Sequence, residues 1–191
     1  MNTQDALTTA QSGISPADLL RTIVFAADKH SRQRRKDADA SPYINHPIAV
    51  AAVLAIEGDV TDGATLVAAI LHDTVEDTET TFEELSGQFG EDVSNLVREV
   101  TDDKSLDKAL RKRLQIEHAA KSSDKAKQVK LADKICNIRD IMSSPPADWS
   151  LQRRNEYLDW AQKVVSGCRG VNEKLEQVFH NAVEQARESL R

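Results

Sequence analysis

Cysteine is scarce in this chain of 191 residues: Cys136 and Cys168 stand alone, in no CxxC spacing. Two thiols are too few for a disulfide framework and read as reduced side chains in a reducing compartment. Long apolar runs are missing too. The longest, Ile48 to Ile56, is less than half of the roughly 20 residues a membrane span requires. The first twenty residues have no apolar h-region and are rich in Thr, Gln, Ser and Asp, so no signal peptide is read there and a cytoplasmic location is expected. An excess of positive charge is also lacking. The formal net charge of −6 argues against a binder of nucleic acid polymers, which would carry a basic face and a high isoelectric point. No segment alternates apolar and polar residues for long enough to make a strand, and there is no internal repeat or low-complexity tract.

What remains is helical periodicity. Residues 1–14 have none and are expected to be disordered or loosely packed. Residues 15–191 read as one domain, large enough to bury about 70% of its unfolded surface. Ser15-Pro16 with Asp18 starts a first helix ending near His30. A second is predicted to begin at Tyr43-Ile44-Asn45-His46-Pro47, with Pro at the first helical position, and to stop at Gly58. Thr80 with Glu83 is read as a capping box. A long helix runs from Asp124 to about Met142, and in its inward stripe of Ala126, Val129, Asp133, Cys136, Asn137 and Asp140 carboxylates stand where apolar residues are expected. Ser144-Pro145-Pro146 breaks the chain before two closing helices. The fold class is therefore all-α, a single-domain bundle of about nine helices.

The stretch that organises the rest is Ala64 to Asp77. Its first half, Ala64 to Leu71, is apolar on every side, the pattern of a helix enclosed by others. It is predicted to run straight into His72 and Asp73, with Glu76 and Asp77 one turn later, so that His72 stacks with Glu76 and Asp73 with Asp77. A buried imidazole beside a buried carboxylate is costly without partners, and a divalent cation satisfies both. Two basic knots, Lys29 to Lys36 and Lys104 to Arg113, suit a small polyanion in an otherwise acidic protein.

With His46, His72-Asp73 and Asp133 the chain carries the order H…HD…D, and it resembles the HD-domain metal-dependent phosphohydrolases. Five blocks narrow the resemblance: Arg34-Arg35-Lys36-Asp37, Tyr43 to Pro47, Leu71 to Thr78, Val100 to Lys104, and Lys130 to Lys134. They are similar to the small alarmone hydrolases, stand-alone relatives of the hydrolase half of RelA/SpoT stringent-response enzymes that include the metazoan SpoT homologue. The resemblance covers roughly residues 16–170. It implies an HD-domain helical bundle in which His46, His72, Asp73 and Asp133 hold one divalent ion, in this family manganese (Mn2+), and in which Glu76 and Asp77 are the catalytic pair. It further implies that Arg35, Lys36, Asn137 and Tyr157 contact the nucleotide, with Lys108 as an addition on the phosphate side. Cys136 stands where relatives carry a larger aromatic residue or His, so a roomier base-side pocket is expected.

The reaction implied is hydrolysis of the 3′-diphosphate of (p)ppGpp-type purine nucleotides to GDP or GTP and pyrophosphate. No synthetase or regulatory domain is read after the hydrolase blocks. Two alternatives stand beside it: a phosphohydrolase for another purine nucleotide, such as an adenine alarmone or the 2′-phosphate of NADPH, and a non-catalytic alarmone-binding module. Neither a nucleic acid polymer nor a membrane is an expected partner, and monomer and homodimer are both open. Taken singly, each residue also has a plainer reading. Asp133 alone could be the partner of a neighbouring Lys or Arg, and Glu76 and Asp77 could be solvated carboxylates. Arg32 and Arg34 read as surface residues, His30, His118 and His180 as surface or packing residues, and Trp149 and Trp160 as packing.

Overall fold

The computed structural model describes residues 14–191, so the expected loose segment 1–14 lies outside them except for Ile14, which packs against the core. The described residues hold nine α-helices of eight or more residues, one single α-turn and a short π-helical stretch, with no strand among them. The long members are α1 (Pro16–Lys29), α7 (Lys108–Ala119), α8 (Asp124–Ser143), α9 (Leu151–Ser166) and α10 (Glu173–Ser189). The shorter ones are α2 (Asn45–Ala52), α3 (Gly63–Leu71), the single turn α4 (Thr74–Asp77), α5 (Phe82–Phe89) and α6 (Glu91–Val100).

The middle of the bundle is α3, whose residues Ala64 to Leu71 are all buried beneath α1, α2, α6 and α8. Its start is fixed by Asp62, which accepts from the Thr65 N–H at 2.9 Å and satisfies one of the donors a helix start leaves over. Across from it lies α8, capped by Ser123 and packed on α2, α3, α6, α9 and α10. Its hydrophobic stripe is interrupted where α2 passes, and there Asp133 faces His46. Residues Val53–Glu57 continue α2 as a π-helix, and the Arg139 guanidinium grips the Glu57 carboxylate at 2.6 and 2.8 Å, tying that end of α2 to α8. Gly58 then lets the chain pass α10: a Cβ there would meet Leu175 at 2.8 Å.

Three local expectations are corrected. The central helix does not run on through His72; it ends at Leu71, and His72-Asp73 form a turn before α4, so the carboxylates of Asp73 and Asp77 are not stacked along one continuous helix. Pro47 is the third residue of α2, not the first, because Asn45 and His46 already have helical geometry. The cap of α5 is Thr81, which accepts from the Glu84 N–H, one residue later than the Thr80 and Glu83 pattern. Thr80 is instead buried and shares a hydrogen bond with Thr78.

Candidate active site

Three helices bring polar side chains into one buried space. His46 comes from the first turn of α2, His72 from the end of α3 and Asp133 from the middle of α8. His46 Nε2 lies 3.1 Å from Asp133 Oδ1, and His72 Nε2 lies 3.9 Å from the same oxygen. One donor atom from each residue lies within 4.8 Å of the others, an arrangement that can hold a cation. Asp73, the fourth expected ligand, stands outside that set and touches it at His72, with its Oδ2 3.1 Å from His72 Nε2.

The hydrogen bonds around the cluster decide which atoms are free to ligate. His72 Nδ1 donates to the Ala69 carbonyl at 2.8 Å, which leaves Nε2 as the ring nitrogen that faces inward. His46 has no partner for its buried Nδ1, so its outward contact is Nε2 alone. Asp133 is held by three neighbours: Asn137 Nδ2 donates to Oδ1 at 2.6 Å, Lys134 Nζ donates to Oδ2 at 2.6 Å, and His46 faces Oδ1. The ion pair with a neighbouring Lys is therefore present, and it occupies one oxygen while the other serves the histidines. Two imidazole nitrogens and a carboxylate oxygen are donors that suit a borderline-hard divalent ion.

Charge in this space is strongly coupled. Burial alone would lower the His72 pKa, but the Asp73 carboxylate at its side and the Asp133 charge overcome it and raise it to about 9. Burial would raise Asp133, yet the Lys134 ammonium and the His46 hydrogen bond hold it well below the usual carboxylate range. Tyr43 donates its hydroxyl to Asp73 Oδ2 at 2.6 Å, and burial with the Asp73 and Asp77 charges keeps that phenol protonated, far above the ordinary tyrosine value.

The expected catalytic pair lies next to the cluster. Burial, reinforced by the nearby Asp73 and Asp102 charges and opposed by the Asp102 N–H that Glu76 Oε2 accepts at 3.0 Å, raises the Glu76 pKa to about 7. Asp77 accepts from Gln33 Nε2 at 2.7 Å and pairs with Lys104, which also stands 3.9 Å from Glu76. The two carboxylates face different spaces. Glu76 lines an inner cavity of about 170 Å³ with His46, His72, Asp133, Lys130 and Lys134. Asp77 lines an outer groove of about 740 Å³ walled by Lys36, Asp140, Trp149, Tyr157 and Trp160.

Arg35 and Asn137 line both spaces, and Arg35 is fixed there by Asp140, by Asn137 and by the Tyr43 ring 5.6 Å from its guanidinium carbon. Lys36 and Tyr157 line the outer groove only. Lys108 is exposed at the first turn of α7 and lines neither, whereas Arg111, one turn on, reaches to 3.9 Å from Glu76. Cys136 is buried and also lines neither space, so its small side chain does not widen the groove. Trp149 and Trp160, read as packing, flank Tyr157 and form an aromatic wall of that groove. His30, expected to be a surface or packing residue, is 2% exposed and packs beneath Tyr43.

Several side chains of this site give no individual signal in the sequence. Tyr43, Asp102, Lys104 and Lys134 all stand inside the blocks that carry the family resemblance, which was the available signal. Gln33 gave none, because its role depends on how the loop after α1 folds back over Asp77.

Comparison with known proteins accords with this geometry. The HD domain family model matches residues 22–161. Guanosine-3′,5′-bis(diphosphate) 3′-pyrophosphohydrolase MESH1 of Xenopus tropicalis is 59% identical over 83% of this chain and 88% of its own length. MESH1 of Homo sapiens is 52% identical over 91% of this chain and 97% of its own. The solved structure of a metazoan ortholog of SpoT that hydrolyzes ppGpp superimposes with a TM-score of 0.86, at 50% identity, over 90% of this chain and 97% of that one. On these matches the chain belongs to the HD-domain family, on the branch that holds MESH1 and the metazoan ortholog of SpoT.

Proposed function

We propose that this protein hydrolyses the 3′-diphosphate of guanosine 3′,5′-bis(diphosphate), releasing pyrophosphate and GDP, with manganese as its divalent ion. The carrying observation is the His46, His72 and Asp133 cluster beside a carboxylate, Glu76, whose pKa of about 7 suits a proton acceptor at neutral pH. His46, His72 and Asp133 would hold the ion, with Asp73 completing the set from beside His72. When bound, it would supply Lewis acidity toward a phosphoryl oxygen and toward water.

The remaining chemistry falls to this chain's side chains. Water adds to the phosphorus attached to the 3′ oxygen, and the bond from phosphorus to that oxygen breaks. Glu76, lining the inner cavity, takes the proton from the water. Asp77, held by Gln33 and Lys104, orients the water and the sugar edge from the groove side. A proton then returns to the leaving ribose oxygen from the carboxyl that received it. Lys130 and Lys134 at the inner wall and Arg35 at the junction offset phosphate charge, and the outer groove, with Lys36, Asn137 and Tyr157 in its lining, receives the nucleoside. Geometry supports this division because the two spaces join at Arg35, Tyr43, His46 and Asn137, where a sugar 3′ position would sit between base and diphosphate.

The test is incubation of labelled ppGpp with the metal-stripped protein, with and without added manganese, reading both products. Stoichiometric GDP and pyrophosphate only with the metal is the expected result. No release from ppGpp, with release from an adenine analogue or from the 2′-phosphate of NADPH in a parallel panel, would move the protein to another purine nucleotide.

A further inference from the structure

We propose that His30 is a positioning residue for hydrolysis: its Nδ1–H fixes the Gln33 side-chain amide, and Gln33 in turn holds Asp77. This inference rests on the hydrolase reading above and adds a residue outside the metal cluster and the groove lining.

His30 is buried with only part of its polar surface satisfied. His30 ends α1, is 2% exposed and has a single side-chain hydrogen bond, between Nδ1 and Gln33 Oε1 at 2.6 Å. Its Nε2 is buried without a partner. A buried acceptor left unsatisfied costs stability, and such a cost persists where function compensates. Hydrogen-bond polarity then orders the whole chain of contacts. Gln33 Nε2 donates to Asp77 Oδ2 at 2.7 Å, so the amide presents its oxygen to His30. An amide oxygen only accepts, which puts the proton on Nδ1. Turning the amide over would set its oxygen against the Asp77 carboxylate, so the direction from Nδ1–H through Gln33 to Asp77 is the sole one in which every contact is attractive.

The backbone reinforces this placement. The Gln33 N–H donates to the His30 carbonyl at 2.9 Å, and the Tyr43 N–H donates to the Gln33 carbonyl at 3.2 Å. The imidazole also lies 5.0 Å from the Tyr43 ring, tilted by 34°, and Tyr43 holds Asp73. One side chain at the foot of α1 therefore stands behind Asp77 through a hydrogen-bond chain and behind Asp73 through packing.

Two substitutions separate the roles. His30→Phe keeps a ring against Tyr43 and removes both the donor and the unsatisfied nitrogen, while His30→Asn gives up the ring and places an amide donor where Nδ1 was. With manganese-loaded protein and ppGpp, His30→Phe is expected to lower kcat by about tenfold, the scale of losing an outer-shell partner. KM, bound metal and melting temperature should change little. His30→Asn should recover most of that rate. Gln33→Leu should match His30→Phe, and the double variant should be no slower than either, since both act through one chain. A His30→Phe enzyme with wild-type kcat, an Asn variant as slow as Phe, or multiplying losses would each overturn the proposal. Imidazole nitrogen NMR tests it without turnover: a proton on Nδ1 is expected, and one on Nε2 overturns it. A wild-type protein that releases nothing from ppGpp counts instead against the proposed function.

Discussion

The inner cavity and the outer groove meet at Arg35, Tyr43, His46 and Asn137, yet they are built differently. The inner one is set by helices: His46, His72 and Asp133 are fixed by α2, α3 and α8, whose contacting faces are closed core. Much of the outer one is set by connections, the loop of residues 31–42 and the link after Ser144, with an aromatic wall from α9 behind them. Helix-borne side chains locked by close packing hold a metal cluster to the required tolerance, whereas loop-borne ones leave shape and contacts adjustable. The first half should therefore respond to substitution with loss of chemistry, and the second with altered affinity.

Asp133→Ala tests the first half most severely. It removes a proposed ligand and leaves the Lys134 ammonium buried without its partner. Turnover should fall by at least about a thousandfold, as several kcal/mol of transition-state stabilisation are lost. Unfolding free energy should fall by about 3 kcal/mol, the scale for stranding a buried charge, measurable by denaturant titration of the metal-free protein. A stable, active variant would erase the distinction between the two halves.

Glu76→Gln should cost about a hundredfold or more in kcat with the metal retained. In the wild type kcat/KM should rise with pH through a limb near 7, because the proposed mechanism needs an ionised Glu76 to take the proton of the water, and the Gln variant should lose that limb. The sign for stability is the reverse. Burial raises the folded Glu76 pKa above its ordinary value of 4.5, so the stability it contributes is present below pH 4.5 and lost as pH rises through about 7. The Gln variant should therefore melt higher than wild type at pH 8, and an equal or lower melting temperature would contradict the assigned burial effect.

The groove responds differently. Arg35→Ala should raise KM by about tenfold with a smaller change in kcat, the mark of lost binding common to ground and transition states. Lys108→Ala should change either constant by less than about twofold, since an exposed side chain outside both cavities has little to lose. A larger effect of Lys108 than of Arg35 in steady-state kinetics would redraw the groove.

This difference also explains what the sequence disclosed. The enclosed α3 and the carboxylate in the inward stripe of α8 were legible because burial leaves a periodic record. The break after Leu71 was not, since His72 and Asp73 continue the helical pattern in sequence although the chain turns there. The offset of the α5 cap arose from two adjacent threonines, both chemically fit to cap; burial of Thr80 decides for Thr81. Gln33 and the aromatic wall left no periodic record, because loop closure, not periodicity, brings them to the site.

One ion held among His46, His72 and Asp133, with Asp73 beside them, is the central expectation. Crystals soaked in manganese and measured at its absorption edge should show a single strong anomalous peak at bonding distance from His46 Nε2, His72 Nε2 and Asp133 Oδ1. A peak elsewhere, or none at saturating metal, would contradict it.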